Sequence, residues 1–363
     1  MGEYSLPRVI AIGSLITLTA TAQATAQPGR MSRPGVVPLV AQHNGWVPLS
    51  RVSVAPSGFQ ACPCERVYLA DSYPPETVYA FPQAGQGQSS CGQITKKLFE
   101  PWGLAVKQKQ DGTCAKRAPA YMLYVSQFYG KIYRFNENGN PLAGTLAGAG
   151  RGPAGLAFDR GGNLYVTDEI PSGCCPSLPP GSFSSYAGGA GAPMYHRDTN
   201  FSATYYIGAD NGNPANLFID GLNTSGAFQV DECPIAPLVN ACATLVAPVP
   251  AWGSTPGGVA VDATQNLYVN DPGLSRLCKY PPPYNAVPTC VNYSGGTPDL
   301  GTVPPLTIAL NDVDTMFWGG DNAPTIQGAA EFTPAGVWLD YIAAPPSQNF
   351  YSYGIATAPR SPF

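Results

Sequence analysis

Gly155-Leu156-Ala157-Phe158-Asp159-Arg160-Gly161-Gly162-Asn163-Leu164-Tyr165-Val166-Thr167-Asp168 is a phrase that this chain repeats. It returns as Gly258-Val259-Ala260-Val261-Asp262-Ala263-Thr264-Gln265-Asn266-Leu267-Tyr268-Val269-Asn270-Asp271. Each copy begins with a short apolar run rich in β-formers, which predicts a strand. Asp, Gly and Asn then predict a tight turn, and a second run centred on Tyr predicts the returning strand.

Weaker copies extend the pattern in both directions. Arg66-Val67-Tyr68-Leu69-Ala70-Asp71 and Thr77-Val78-Tyr79-Ala80-Phe81 flank a turn at Pro74-Pro75. Trp102 to Val106, Tyr121 to Val125 and Lys131 to Phe135 form a second set, with an insertion at 107–119. Ala203 to Ile207 with Asn216 to Ile219 is the faintest copy, and Leu306 to Leu310, Thr315 to Trp318 and Val337 to Asp340 make the last. An aromatic taken as the centre of each second strand falls at Tyr68, Tyr124, Tyr165, Tyr206, Tyr268 and Phe317. The spacing, roughly 40–60 residues, matches the period of radially repeated four-stranded units. The expectation is an all-β protein, a six-bladed β-propeller over 51–363, with seven blades as the alternative count and a two-sheet sandwich as the rival. Tyr353-Gly354-Ile355-Ala356-Thr357 repeats the opening strand and is expected to close the ring with the N-terminal strands.

Composition narrows the function. Nineteen basic and 23 acidic residues in 363 leave a net charge of −4, so there is no basic footprint for nucleic acid. Gly (41) and Pro (39) punctuate strand-like runs, while 20 Tyr and 14 Phe supply a core, which argues against a disordered chain. Residues 1–26 suggest a signal peptide, with Arg8, an apolar run from Val9 to Ala20, and small-residue cleavage patterns at Ala22 to Ala26. Residues 27–50 form a Pro/Gly-rich leader. No later segment is long and apolar enough to suggest a membrane span. The expected location is secreted or extracellular: periplasm or cell wall if the source is bacterial.

Ten cysteines suit export. Near neighbours suggest the pairs Cys91–Cys114, Cys233–Cys242 and Cys278–Cys290, with Cys62 and Cys64 reaching Cys174 and Cys175. Cys62-x-Cys64 is too tight for the usual zinc spacing. Asn200-Phe201-Ser202, Asn223-Thr224-Ser225 and Asn292-Tyr293-Ser294 are glycan acceptor patterns, so the chain is also a candidate glycoprotein.

The motif Pro-x-Gly-Leu/Val-Ala-Val/Phe-Asp-x-x-x-Asn-Leu-Tyr-Val resembles the NHL-repeat propellers. More distantly, it is similar to the gluconolactonase, paraoxonase and strictosidine-synthase propellers. The resemblance covers about 52–340 and implies loops gathered around a central channel. Metal-dependent members would carry an acidic ligand at the x of Pro-x-Gly. Here those positions hold Trp102, Ala154 and Gly257, none of which offers a side-chain ligand for calcium.

Other acids could still serve. Asp71, Asp168, Asp271 and Asp321 follow second strands, and if their loops converged they would form the metal site. The plainer account is that Asp after a strand caps a turn, as expected also for Asp159 and Asp262. Nucleophilic catalysis is poorly served: the only histidines are His43 and His196, and Gly-x-Ser-x-Gly is absent. No catalytic residue and no cofactor is assigned. Aromatics crowd 121–135, and Phe128, Tyr129 or Tyr186 could present a stacking surface. The sequence thus favours a secreted, disulfide-braced scaffold binding glycan or protein partners, or its own copies. The alternative is a calcium-dependent lactonase or esterase-like hydrolase.

Overall fold

The computed structural model describes residues 39–42, 45–48, 58, 62 and most of 65–358. Outside it lie 1–38, 73–75, 84–89, 109–120, 128–129, 147–151, 169–178, 237–241, 246–256, 293–306, 312–315, 321–327, 334–337, 344–351, 359–363 and a few single positions. All described residues belong to one compact unit, Gly35–Phe363. The signal-peptide reading, Cys64, Cys114, Cys174, Cys175, His43, Phe128, Tyr129 and Asp321 lie outside the described residues.

The chain is all-β. Within the stretch read as a leader, β1 (Leu39–Gln42) and β2 (Gly45–Pro48) form a two-stranded ribbon. β3 (Arg66–Asp71), β4 (Thr77–Pro82) and β5 (Gly92–Ile94) follow, then β6 (Pro101–Gln108), β7 (Tyr121–Gln127) and β8 (Lys131–Asn136). The third sheet is β9 (Pro153–Phe158), β10 (Leu164–Asp168), β11 (Ser182–Tyr186) and β12 (Met194–Arg197). The fourth is β13 (Phe201–Ala209), β14 (Asn216–Asn223), β15 (Phe228–Pro234) and β16 (Ala243–Thr244). The fifth is β17 (Val259–Val261), β18 (Leu267–Asp271), β19 (Arg276–Tyr280) and β20 (Thr289–Asn292). The last is β21 (Thr307–Leu310), β22 (Met316–Gly320), β23 (Gly328–Phe332) and β24 (Trp338–Ala343). β25 (Ser352–Ala358) then pairs antiparallel with β3, so the C-terminal strand completes the first sheet, as the sequence suggested.

Each sheet is an antiparallel meander, and the first strands lie side by side: β25 against β6, then β9, β13, β17, β21 and back to β25. The arrangement is a propeller. The expected tally of six or seven full blades is corrected: five sheets have four strands, and β6–β8 has three. The cause is local. After β8 the chain turns at Asn136–Asn140 and makes only isolated bridges, Phe135 to Pro141 and Ile132 to Leu146. Pro141 has no N–H to give a ladder, and Gly144 at φ +74° interrupts extended backbone.

The core sits between neighbouring sheets. Tyr68, Val78, Leu104, Leu123, Val125 and Phe135 pack between the first two; Tyr124, Leu156, Phe158, Leu164 and Tyr186 pack between the second and third. Tyr68, Tyr124, Tyr165 and Tyr268 occupy matching buried positions on second strands. Tyr206 does not. It lies on the first strand β13, and its expected place is taken by Phe218 on β14. Tyr186, read as a loop aromatic, is a buried residue of β11 and offers no stacking surface.

The repeated Asp-x-x-x-Asn-Leu-Tyr motif is a local hydrogen-bond set. The Asp159 carboxylate accepts from Asn163 N–H (2.8 Å), Asn163 Nδ2 (2.8 Å) and Tyr165 O–H (3.2 Å). Asp262 accepts from Asn266 N–H (2.8 Å), Asn266 Nδ2 (2.7 Å) and Tyr268 O–H (3.1 Å). In the fourth sheet Asp210 and Asn216 do the same over a longer turn, and the phenol comes from Tyr284 of the next sheet (3.2 Å). Asp159 and Asp262 are turn formers, as expected.

Three disulfides brace the described sheets. Cys233–Cys242 and Cys278–Cys290 form as read. The Cys91–Cys114 reading is corrected, because Cys91 bonds Cys62, which therefore does not reach Cys174 or Cys175. Pairing of β4 with β5 and the bridge of Gly58 to Gln93 bring the segment before β3 beside Cys91, a contact that sequence spacing does not show. No helix among the described residues is long and apolar enough to cross a membrane.

Candidate functional site

The axis is the natural place to look, and its geometry begins with glycine. A Cβ on Gly354 would lie 2.0 Å from Trp102 O, one on Gly103 1.8 Å from Ala154 O, and one on Gly155 2.6 Å from Tyr206 Cα. The first strands thus touch backbone to backbone near their beginnings, which only glycine permits. Second-strand side chains then stitch neighbours together. Gly103 N–H donates to Ser126 Oγ (2.7 Å), which donates to Ala154 O (3.1 Å). Gly155 N–H donates to Thr167 Oγ1 (2.8 Å), which donates to Tyr205 O (2.5 Å). Asp220 accepts from Tyr206 N–H (2.6 Å) and Gly258 N–H (2.8 Å), joining the fourth sheet to the fifth, while Asn270 Nδ2 donates to Gly257 O (2.8 Å) within the fifth sheet.

This belt explains Trp102, Ala154 and Gly257. The positions where the family resemblance placed a ligand are buried and serve ring closure. The belt also contains a carboxylate that sequence reasoning missed. Asp220 has no exposed surface, and burial pushes its pKa up to about 7 against the backbone N–H groups that favour its charge. Its signal was present: it follows Phe218-Ile219 as Thr167 follows Tyr165-Val166.

Beyond the belt, the later halves of the first strands enclose a cavity of about 120 Å³. Leu104, Val106, Leu156, Phe158, Leu310 and Ile355 line it, with alanines from other strands. It holds no charged side chain. Its one hydroxyl, Thr357 Oγ1, donates to Leu310 O (2.5 Å). That lining offers no ionisable side chain to serve as general base, and its single hydroxyl is held by Leu310 O.

The predicted acids lie elsewhere. Asp71, Asp168 and Asp271 are each the last residue of a second strand, at the end where the first strands begin, opposite the cavity. All three are buried. Asp271 forms an ion pair with Arg276 (3.1 Å) and accepts from Leu274 N–H (3.3 Å), closing a 3-10 turn. Asp168 accepts from Ser184 Oγ (3.4 Å), and its backbone oxygen accepts from Thr204 Oγ1 (3.3 Å). Asp71 raises the pKa of Tyr79, which burial pushes up to about 12.

Among the described residues, only Asp198, Cys233 and Cys242 bring three potential ligand atoms within 4.8 Å of one another. The two sulfurs there form a disulfide, so they are not thiolate ligands. Asp198 is buried, and desolvation pushes its carboxyl up to about 7, with Asp231 beside it raising it further. His196 lies on the outer strand β12, stacked on Phe183 and 2.8 Å from Ser185 Oγ; burial lowers its pKa.

Fold and site together define an all-β propeller with a closed, stitched axis. No family model matches the chain, and no curated protein sequence matches it. Solved structures do. The virginiamycin B lyase of Staphylococcus aureus is 11% identical, with TM-score 0.48 over 78% of this chain and 86% of that one. A streptogramin B lyase is 12% identical, with TM-score 0.45 over 77% of this chain and 74% of that one. A Bacteroides caccae protein of unknown function is 11% identical, with TM-score 0.53 over 81% of this chain and 98% of that one. At these identities the likeness is one of fold.

Proposed function

We propose that the chain is an exported, disulfide-braced propeller that works as a binding or structural scaffold for glycan or protein partners. The observation supporting this most is the axial cavity, lined by apolar side chains on all six first strands and free of ionisable groups. A rigid ring of sheets suits the task, because it fixes the ends of connecting loops whose sequences can vary at little cost to the core. In this proposal the three-stranded sheet β6–β8, edged by the bridged 140–146 segment, is the sixth blade of an NHL-like ring. Residues 1–26 direct export, and residues 27–50 lead into the propeller at about 51.

The hydrolase alternative needs Asp71, Asp168, Asp271 and Asp321 to share a cation. The first three are distributed over separate sheets, and Asp271 is neutralised by Arg276. The test has two arms on the purified chain. Oligosaccharide arrays and size-exclusion profiles should show saturable binding to a glycan or protein, or self-association. Calcium-dependent turnover of a panel of lactones and aryl esters, lost in Asp168→Asn, would overturn the scaffold reading.

A further inference from the structure

Of the three acceptor triplets, two are structurally described in full, and they differ in hydrogen-bond accounting. Asn223-Thr224-Ser225 occupies the tip of the β14–β15 hairpin. Thr224, Ser225, Gly226 and Ala227 are exposed. Asn223 Oδ1 accepts from Ser225 N–H (3.0 Å), Ser225 Oγ (2.7 Å) and Ala227 N–H (3.0 Å). Its Nδ2 donates to Gln229 Oε1 (3.2 Å). A primary amide nitrogen carries two protons. One holds Gln229, so replacing the other with a carbon substituent breaks no bond in the fold.

Asn200-Phe201-Ser202 is the opposite case. Both Nδ2 protons are in use: the nitrogen donates to Asp231 Oδ2 (2.6 Å) and Cys242 O (3.0 Å). Phe201 is buried in the core. The single Ser202 hydroxyl proton is shared between Leu222 O (3.0 Å) and Asn223 O (2.8 Å), so it is engaged with the β14 backbone. A substituent on Asn200 must remove a half-buried hydrogen bond to a carboxylate or to the backbone beside the Cys233–Cys242 disulfide.

We infer that Asn223 is an N-glycosylation site of the folded protein and that Asn200, despite its matching triplet, is not. The donor is a lipid-diphosphate-linked oligosaccharide, used by a host transferase. Asn223 Nδ2 attacks the anomeric carbon, and the N–C bond forms as the C–O bond to the diphosphate breaks. The lipid diphosphate leaves with the electron pair of that bond and takes up, through solvent, the proton the amide loses. Ser225 Oγ, donating to Asn223 Oδ1, acidifies the amide N–H and so eases loss of that proton. Thr224 to Ala227 at the hairpin tip are exposed and Asn223 is half-buried beside them, so the sugar has a route into solvent.

The experiment directs the full chain into the secretory pathway of a yeast host with a host leader. Secreted protein is deglycosylated enzymatically in ¹⁸O-water and mapped by peptide mass. The expected result is ¹⁸O-labelled Asp at 223 and unmodified Asn at 200. Asn223→Gln and Ser225→Ala should each remove the label at 223 with secretion retained, and Ser225→Thr should keep it. Secreted protein with unlabelled 223, or with the label at 200, would overturn the inference.

Discussion

Thr167→Val isolates the stitching of the ring. Valine matches threonine in shape but removes the oxygen that accepts Gly155 N–H at 2.8 Å and donates to Tyr205 O at 2.5 Å. Thr167 is fully buried, so no solvent replaces the bond to Gly155 N–H, while Tyr205 O is half-buried. Leaving a buried backbone group unsatisfied costs about 1–3 kcal/mol, and the two groups together cost at most about 6 kcal/mol. Thr167→Ser keeps the hydroxyl and loses one methyl, worth about 1 kcal/mol. Urea unfolding followed by fluorescence would read the difference directly. At about 2 °C of Tm per kcal/mol for a chain of this size, Val should melt several degrees below Ser. Equal stability of the two variants would refute the claim that this hydroxyl holds β9 to β13.

Three further outcomes follow from named groups. Asp220 and Asp198 both have pKa values raised to about 7 in the folded chain, above the unfolded value near 4, so the folded state binds protons more tightly between those values. Stability should therefore rise as pH falls from about 7 towards 4, by at most about 1.4 kcal/mol per pH unit per group. Thermal melts across that range should show the slope, and Asp220→Asn should reduce it to the part that Asp198 contributes. Gln265 sits at φ +68° in the turn position that Gly162 fills in the third sheet, so Gln265→Gly should stabilise by about 0.5–1 kcal/mol, measured by denaturant midpoint. Replacing both Cys278 and Cys290 with alanine opens a cross-strand link spanning 12 residues and should cost about 2–3 kcal/mol by the same measurement.

Some of this architecture was legible because its signals are local. Asp159, Asn163 and Tyr165 complete one another's hydrogen bonds within seven positions, so the motif announces its own hairpin. The fourth sheet was misjudged because its equivalents are scattered. Its turn from Asp210 to Asn216 is longer, its second strand carries Phe218 in place of Tyr, and the missing phenol arrives from Tyr284. Cys62 found Cys91 through strand pairing that spacing does not encode. The candidate acids illustrate a different limit. Asp71, Asp168 and Asp271 stand at second-strand ends, but among the described residues they do not gather their carboxylates into one three-ligand cluster, and Asp321 lies outside those residues. Asp220 went unremarked because it stands in a position where the other sheets use Ser126, Thr167 and Asn270, and only the structure shows what that position does.

Calcium titration of the purified, chelator-treated chain by calorimetry tests the scaffold account most directly. The account predicts no saturable heat and no shift in melting temperature at millimolar calcium. Stoichiometric binding that disappears in Asp168→Asn and Asp71→Asn would contradict it and place a cation where the scaffold reading has only buried structural acids.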